Sequence, residues 1–172
     1  MQLVLIGFMS SGKTTIGSKL AEKMNLPFYD LDQVIEEQIH MTIPEYFKKY
    51  DENQFRQIEN KIFKQILNSS SGIISTGGGT IEDIENINLL NNSNTQIIFL
   101  DISDKTIQRR LENDTNRPLV KELGISGLIN LKHQRNKKYE QLSNMKIMTD
   151  DFSISGTLEQ IENNLRRQQL WI

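Results

Sequence analysis

The stretch that decides the fold reads Gly7-Phe8-Met9-Ser10-Ser11-Gly12-Lys13-Thr14, which matches the pattern Gly-x-x-x-x-Gly-Lys-Ser/Thr. It follows the apolar run Leu3–Ile6 and leads into a helical pattern, so a strand, a turn and a helix start succeed one another directly. In this pattern the glycines let consecutive backbone N–H groups point at one anion, and the helix N-terminus adds partial positive charge. Lys13 then reaches the β- and γ-phosphates, and the Thr14 hydroxyl is placed to bind Mg²⁺. We therefore predict a phosphate-binding loop rather than a chance match on a surface turn.

Composition limits the possible classes of protein. The chain has 172 residues, a net charge of −2 and no cysteine. This length fits one domain with a full core, and the scattered charge offers no basic field for nucleic acid or a membrane surface. No apolar run approaches the roughly 20 residues of a membrane span. The missing cysteines exclude disulfides and thiol catalysis and suit a reducing compartment, so we expect a cytoplasmic monomer without nucleic-acid or membrane partners.

Short apolar runs alternate with helical patterns along the chain. Such alternation implies right-handed βαβ crossovers, so we predict an α/β fold with a parallel five-stranded sheet between two layers of helices. The predicted strands are Leu3–Ile6, Pro27–Tyr29, Gly72–Ser75, Gln96–Leu100 and Lys146–Met148. The predicted helices are Ile16–Met24, Leu31–Ile39, Phe55–Leu67, Ile84–Leu90, Lys105–Leu111, Ile125–Leu142 and Thr157–Leu170.

Two regions break the alternation. Residues 31–68 form a helical stretch longer than one crossover requires, and residues 111–123 are polar with little periodicity. A long loop in a compact domain is usually functional or disordered, and a phosphate-loop protein that transfers a phosphoryl group must exclude water. We therefore expect a single domain, 1–172, with a helical substrate-binding insertion at 31–68 and a mobile lid at 111–123.

Two carboxylates, Asp30 and Asp32, follow the second predicted strand. Ligands of open α/β sheets bind at this edge, where the carboxyl ends of the strands meet. Asp30 can hold Mg²⁺ through water there, and Asp32 can orient or deprotonate a hydroxyl that attacks the γ-phosphate. The alternative for Asp32 is a structural role as the N-cap of the following helix.

Two further features suit an anionic acceptor. Arg56 and Glu59 lie three residues apart on one helix face of the insertion, which fits a solvated ion pair or an arginine that Glu59 positions to grip an anion. Three consecutive glycines, Gly77–Gly79, end the third predicted strand. Such a run is entropically unfavourable and suits a place where a ligand approaches backbone N–H groups closely.

Several arginines lie further along the chain. Arg117 lies in the predicted lid, where it is either a solvated loop charge or a group that neutralises charge developing in the transition state. Arg109 and Arg110 end the preceding helix, and a planar guanidinium there can stack on adenine. Arg135 and Tyr139 share a face of the helix after the lid.

Together, these motifs resemble the shikimate kinase family of small, nucleoside-monophosphate-kinase-like P-loop enzymes. The resemblance covers nearly the whole chain, in the right order: the phosphate loop, Phe-Tyr-Asp-Leu-Asp, Phe-Arg-x-x-Glu, Ser-Thr-Gly-Gly-Gly, Arg-Pro-Leu and Arg-x-x-x-Tyr-Glu. It implies ATP-dependent phosphorylation of the shikimate 3-hydroxyl, with Mg²⁺, as a step towards chorismate and aromatic amino acids.

The resemblance also implies roles residue by residue. The residues matched to ATP binding are Ser10, Ser11, Gly12, Lys13, Thr14, Thr15, Arg110 and Arg117, with Thr14 on Mg²⁺. Those matched to shikimate binding are Asp32, Arg56, Gly78 and Arg135. For catalysis, we expect Lys13 and Arg117 to stabilise the transferring phosphoryl group and Asp32 to orient or deprotonate the acceptor hydroxyl. Family members usually carry glycine at the place of Ser10, so the loop backbone must adopt a conformation there that serine tolerates.

Three other interpretations remain open at this point. A gluconate-type sugar-acid kinase shares the phosphate loop and the small size. A regulatory switch of the GTPase kind predicts Asp-x-x-Gly after the third strand and Asn-Lys-x-Asp for guanine, and the sequence has neither at the expected places. A catalytically idle relative that binds a small acid would lack some of the charged groups that are present here.

Overall fold

The computed structural model describes residues 1–69, 71–112, 118–150 and 152–171. Within these ranges, five parallel strands form one sheet in the order β2-β3-β1-β4-β5, with helices on both faces, and this confirms the predicted fold class. The strands are β1 Gln2–Ile6, β2 Phe28–Asp30, β3 Gly72–Ser75, β4 Gln96–Asp101 and β5 Met145–Met148. The helices are α1 Lys13–Met24, α2 Leu31–Ile39, α3 Ile43–Phe47, α4 Glu52–Leu67, α5 Ile84–Asn91, α6 Asp104–Leu111, α7 Pro118–Leu142 and α8 Ile154–Arg167, and a short 3₁₀ helix spans Thr80–Glu82.

The central strand β1 is buried on both faces. Leu3 and Leu5 pack in the cluster that includes residues of α1 and α8, whereas Val4 and Ile6 pack in the cluster that includes residues of α2, α4 and α7. All four side chains are fully buried. Because a parallel strand covered on both faces needs apolar residues at every position, this packing explains the continuous apolar run before the phosphate loop.

The strand order brings three separate sequence motifs to one edge of the sheet. Strand β3 pairs with β1 on one side and with β2 on the other. The phosphate loop follows β1, the Asp30–Asp32 stretch follows β2, and Gly77–Gly79 follows β3. Because all strands are parallel, the three motifs meet at the carboxyl edge, where open α/β sheets bind ligands.

Several helices begin earlier than predicted. Helix α4 starts at Glu52 rather than Phe55, behind a capping box in which the Asp51 side chain accepts from the backbone N–H of Gln54. Helix α8 starts at Ile154 rather than Thr157, with the Ser153 hydroxyl as its cap. These first turns are mostly polar, so apolar periodicity misses them, whereas the caps satisfy their backbone N–H groups.

Helix α3 lies within the predicted helical stretch 31–68 but was not predicted as a separate helix. It spans only Ile43–Phe47, too short for a periodic pattern to appear in the sequence. A capping box between Thr42 and Glu45 and the favourable position of Pro44 in the first turn start this helix. Tyr46 and Phe47 of this helix form an aromatic cluster with Tyr50 and Phe55.

The range of α7 contains two helical segments that meet at Gly124, and the predicted helix Ile125–Leu142 matches the second of them. Part of the stretch predicted as a loop, residues 118–123, is therefore helical. Gly124 interrupts the helix with φ 61° and ψ 176°, a left-handed position that glycine adopts readily. Arg117 lies outside the described residues. Among the residues described, no helix is both long and apolar enough to cross a bilayer.

Candidate active site

The phosphate loop is built on three residues with positive φ. Gly7 has φ 146° and Gly12 has φ 94°, and a Cβ at Gly7 would lie only 2.3 Å from the carbonyl oxygen of Leu100. Ser10 has φ 61°, a left-handed conformation that is costly for a residue with a side chain. The serine therefore occupies a position whose backbone suits glycine. Gly12 forms the N-cap of α1, so the loop ends at a helix N-terminus.

Lys13 lies across the concave side of the loop. It is 8% exposed, and its Nζ donates to the carbonyl oxygens of Gly7 at 2.9 Å and Phe8 at 3.0 Å. Both acceptors belong to the loop itself, so the ammonium group is held beside the N–H groups that surround an anion in such loops.

Thr14 and Asp30 lie in direct contact. The Thr14 hydroxyl donates to Oδ2 of Asp30 at 2.6 Å, and Oδ1 of Asp30 accepts from the backbone N–H of Gln33 at 3.4 Å. Asp30 is thus the N-cap of α2, and Asp32 lies inside the helix. The capping alternative for Asp32 is wrong because the cap position belongs to the residue two places before it.

Asp32 lies partly buried between charged groups. Burial, followed by the nearby charge of Asp30, raises the pKa of Asp32 to about 6, although Lys13 opposes the shift. A carboxyl with this pKa is ionised at neutral pH yet is more basic than an ordinary aspartate. Asp32, the phosphate loop and Arg110 line a common cavity of about 430 Å³.

Two of the three glycines after β3, Gly77 and Gly79, leave room for side chains of the site. A Cβ at Gly77 would lie 2.7 Å from Oδ1 of Asp32, and a Cβ at Gly79 would lie 2.9 Å from the Arg56 guanidinium. None of Gly77–Gly79 falls in the left-handed region. Space rather than backbone conformation therefore explains Gly77 and Gly79, whose close neighbours are Asp32 and Arg56. A Cβ at Gly78 would make only ordinary contacts, the nearest at 3.4 Å from the backbone nitrogen of Met9.

Arg56 is held by two carboxylates. Its guanidinium donates to Glu59 at 2.7 Å and to Glu52 at 3.0 Å. Burial alone would lower the pKa of Arg56, but the two carboxylates outweigh it and raise this pKa. The Glu59 side chain is 2% exposed and the Glu52 side chain 70%. The ion pair with Glu59 is therefore internal, which removes the solvated-pair interpretation.

Arg135 extends from α7 towards the same region. Its NH1 donates to the carbonyl oxygen of Gly78 at 3.1 Å, and its Nε lies 3.5 Å from Glu82. The Tyr139 hydroxyl donates to the same Gly78 oxygen at 2.6 Å. Arg56 and Arg135 both line a cavity of about 810 Å³, whose other lining residues are Ile43, Pro44, Phe47, Lys48, Glu52, Leu119, Glu122, Leu123 and Leu131.

Arg110 lies next to the phosphate loop and lines the same cavity. Its NH1 donates to the carbonyl oxygen of Ser10 at 2.6 Å. It also lines a smaller cavity of about 200 Å³ with Thr149, Phe152 and Thr157. A flat guanidinium and an aromatic ring beside the phosphate loop suit a nucleobase.

Sequence reasoning missed two buried polar residues of this region, Thr80 and Asn86. Both are fully buried, and both donate to Glu59. The position of Thr80 immediately after three glycines was a possible signal. Nothing in the local sequence marks Asn86, because its partners are distant along the chain.

Comparisons with known proteins agree with this geometry. A sequence model of the shikimate kinase family matches residues 9–166. A shikimate kinase of Sulfurihydrogenibium sp. is 38% identical over 166 residues, which cover 96% of this chain and 98% of that protein. The structure of shikimate kinase from Acinetobacter baumannii in complex with shikimate is 28% identical with a TM-score of 0.91, and the match covers 98% of this chain and 94% of that one. The structure from Aquifex aeolicus is 30% identical with a TM-score of 0.81 and 99% coverage of both chains. The chain therefore belongs to the shikimate kinase family and is a small-molecule kinase.

Proposed function

We propose that this protein transfers the γ-phosphoryl group of ATP to the 3-hydroxyl of shikimate, giving shikimate 3-phosphate and ADP in the route to chorismate and aromatic amino acids. One observation carries the proposal. The phosphate loop and Asp32 line one cavity, and Arg56 and Arg135 line a second. The glycine run connects the two, because Gly78 borders the first cavity and its carbonyl oxygen accepts from Arg135. This set matches a donor with phosphates and an acceptor with both a hydroxyl and a carboxylate.

The donor end rests on the phosphate loop. Backbone N–H groups of Ser10–Thr15 and the α1 N-terminus bind the phosphates, and Lys13 exchanges its loop carbonyls for phosphate oxygens. Arg110 flanks the adenine beside the loop. Arg117, outside the described residues, closes over ATP and neutralises charge on the transferring group.

Thr14 and Asp30 suit Mg²⁺. Their oxygens lie 2.6 Å apart at the mouth of the loop, and Mg²⁺ in such sites uses one or two protein oxygens with waters and substrate phosphates. Consistently, the part of the chain that the structure describes contains no cluster of three or more His, Cys, Asp or Glu residues for an all-protein cage. Thr14 and Asp30 would hold the ion, and the ion would supply positive charge against the phosphates of ATP.

The acceptor end supplies orientation and a base. Arg56 and Arg135 bind the carboxylate of shikimate, the turn around Gly78 borders the ring, and Asp32 accepts the hydrogen bond of the 3-hydroxyl. The hydroxyl oxygen forms a bond to the γ-phosphorus while the bond to the β,γ-bridging oxygen breaks in line, and the hydroxyl proton passes to Asp32. A base with a pKa of about 6 is ionised before transfer and accepts this proton more readily than an ordinary aspartate.

The larger parts of the chain receive corresponding roles. We propose that residues 31–68 form the substrate-binding insertion and that residues 111–123 close as a lid, which excludes water during transfer. The position of Arg56 in α4 and of Leu119 and Leu123 beside the same cavity supports this division. We further propose that the protein acts as a monomer in the cytoplasm.

A coupled assay of ADP release tests the function. The purified protein is given ATP and Mg²⁺ with shikimate, gluconate or a nucleoside monophosphate, and Lys13→Ala serves as the inactive control. We expect turnover with shikimate at least 100-fold above the other acceptors, since they lack the carboxylate and hydroxyl arrangement that the site binds. Turnover with shikimate no faster than background ATP hydrolysis contradicts the proposal.

A further inference from the structure

A buried polar network joins Arg56 to the segment that follows the three glycines. Its centre is Glu59, which is 1% exposed. One carboxylate oxygen accepts from Arg56 at 2.7 Å, and the other accepts from the Thr80 hydroxyl at 2.8 Å. The Asn86 side-chain amide donates to the Arg56-bound oxygen at 3.3 Å. The carboxylate thus receives three donors, only one of which belongs to its own helix.

Asn86 is itself fixed at three points. Its Nδ2 also donates to the carbonyl oxygen of Thr80 at 3.1 Å, and its Oδ1 accepts from Nδ2 of Asn60 at 3.1 Å. The residue is fully buried in α5. The network therefore ties together α4, α5 and the 3₁₀ helix at Thr80–Glu82.

The number of donors matters because Glu59 carries its charge out of contact with water. A buried carboxylate needs every available hydrogen bond, and with three donors it has a single favourable orientation. That orientation determines where the Arg56 guanidinium points. Glu52, the other partner of Arg56, is 70% exposed in its side chain and adds little restraint.

We propose that Thr80 and Asn86 are positioning residues for substrate binding: they orient Glu59, which holds Arg56 ready to grip the carboxylate of the acceptor. An arginine that is already oriented loses less conformational entropy when it binds a carboxylate with two hydrogen bonds. Thr80 also fixes the end of the glycine run, where Gly79 lies against Arg56. The inference rests on the proposed function and adds residues that do not touch the substrate.

The test compares two substitutions at Thr80 with one elsewhere. Thr80→Val removes the hydroxyl with little change of shape, and Thr80→Ser keeps it. Thr95→Val is the control, because the Thr95 hydroxyl is also buried and donates to Gln2 at 2.9 Å, at the amino end of the sheet. We expect Thr80→Val to raise the KM for shikimate about tenfold with the KM for ATP within about twofold of the unmutated value. Thr80→Ser and Thr95→Val should leave both constants near their original values.

A double-mutant cycle tests whether the effect passes through Arg56. In an Arg56→Ala background, Thr80→Val should change the KM for shikimate by less than about twofold, because the group that it positions is gone. Asn86→Leu is a second variant, which should likewise raise the KM for shikimate and leave the KM for ATP nearly unchanged. An unchanged KM for shikimate in Thr80→Val, or equal effects with and without Arg56, contradicts the positioning role. Absence of shikimate turnover in the unmutated protein contradicts the proposed function instead.

Discussion

At the scale of single residues, Asp32, the proposed base, lies where ionisation of its carboxyl opposes stability. Its carboxyl has a pKa of about 6 in the folded protein against an ordinary value of 3.8. Ionisation is therefore less favourable in the folded than in the unfolded chain. The stability associated with the protonated form is complete below pH 3.8 and is lost as the pH rises through about 6.

We expect Asp32→Asn to remove activity and stabilise the protein. At pH 8 the free energy of unfolding should rise by up to about 3 kcal/mol, since one pKa unit corresponds to about 1.4 kcal/mol. The gain should be about half as large at pH 5. The folded carboxyl is still mostly protonated at that pH, so only part of the cost of ionising it in the folded state has arisen. Urea unfolding at both pH values measures the difference, and kcat should fall by about 100-fold or more. A gain that does not depend on pH would indicate a different cause.

The two arginines of the acceptor site provide a second residue-scale prediction. Replacing Arg56 or Arg135 with Ala should raise the KM for shikimate about 30- to 150-fold, since a charged hydrogen-bonded contact contributes about 2–3 kcal/mol. The KM for ATP should change little, because neither arginine lines the cavity of the phosphate loop. Arg166→Ala on the exposed face of α8 is the control. Steady-state kinetics with each substrate varied checks the prediction, and an equal loss for both substrates would show that the arginines support folding instead.

Ser10 offers a third test at a single position. Its φ of 61° is unfavourable for serine and ordinary for glycine. We expect Ser10→Gly to raise the free energy of unfolding by about 0.5–1 kcal/mol. Glycine removes the cost of the left-handed backbone, but part of this gain is offset because glycine has more conformational entropy in the unfolded chain. Ser18→Gly, inside α1, should have the opposite sign because glycine is unfavourable in a helix interior. Urea denaturation of both variants measures the change in the free energy of unfolding, and the same sign for both would contradict the prediction.

At the scale of elements, two side chains of α7, Tyr139 and Arg135, join this helix to the turn after β3. Tyr139 is fully buried, its ring stacks on Phe99 with centroids 5.0 Å apart, and its hydroxyl donates to Gly78. Burial raises the pKa of Tyr139 well above its usual range, so the hydroxyl remains a donor at all working pH values. This bond joins the helix that carries Arg135 to the glycine run.

Tyr139→Phe should lower the free energy of unfolding by about 1 kcal/mol, the usual contribution of one hydrogen bond, because the ring packing is retained. The carbonyl of Gly78 keeps Arg135 as a donor, which limits the loss. Tyr50→Phe, whose ring is 44% exposed, is the matched control and should be neutral. Chemical denaturation of the three proteins measures the differences, and a loss in Tyr50→Phe as large as in Tyr139→Phe would contradict the role of the buried bond.

At the scale of the whole molecule, the proposed site draws its residues from the ends of three strands and from helices on both sides of the sheet. Ligand binding should therefore stabilise the entire fold. A non-hydrolysable ATP analogue with Mg²⁺ at about 100 times its Kd should add about 2.7 kcal/mol, which corresponds to roughly 5–10 °C in Tm for a domain of this size. Differential scanning calorimetry measures the shift.

Removal of the metal is the corresponding control. With EDTA, the rise in Tm caused by the ATP analogue should become much smaller, and turnover with ATP should stop. Added Mg²⁺ should restore both the rise in Tm and the turnover. Lys13→Ala should show little shift in either condition, because the loop then lacks its ammonium group. A full Tm shift in EDTA would contradict the proposed role of Thr14 and Asp30.

Much of the fold was predictable because its signals are local. The apolar run of β1 and the glycines and lysine of the phosphate loop are contiguous, and the alternation of strands and helices follows from short stretches. Helix starts were less predictable, since capping depends on single polar residues such as Asp51 and Ser153. The short helix α3 gave no periodic pattern at all.

The sequence by itself determined the donor chemistry, because a strand, a glycine turn and a helix N-terminus assemble a phosphate site from neighbouring residues. It also supplied the candidate groups Asp32, Arg56 and Arg135. Only the tertiary structure decided where these groups lie and which neighbours surround them. Burial sets the pKa of Asp32, and the partners of Glu59 come from residues 21 and 27 positions away, where packing alone brings a hydroxyl and an amide to one carboxylate. Contacts over such separations leave no local pattern to read.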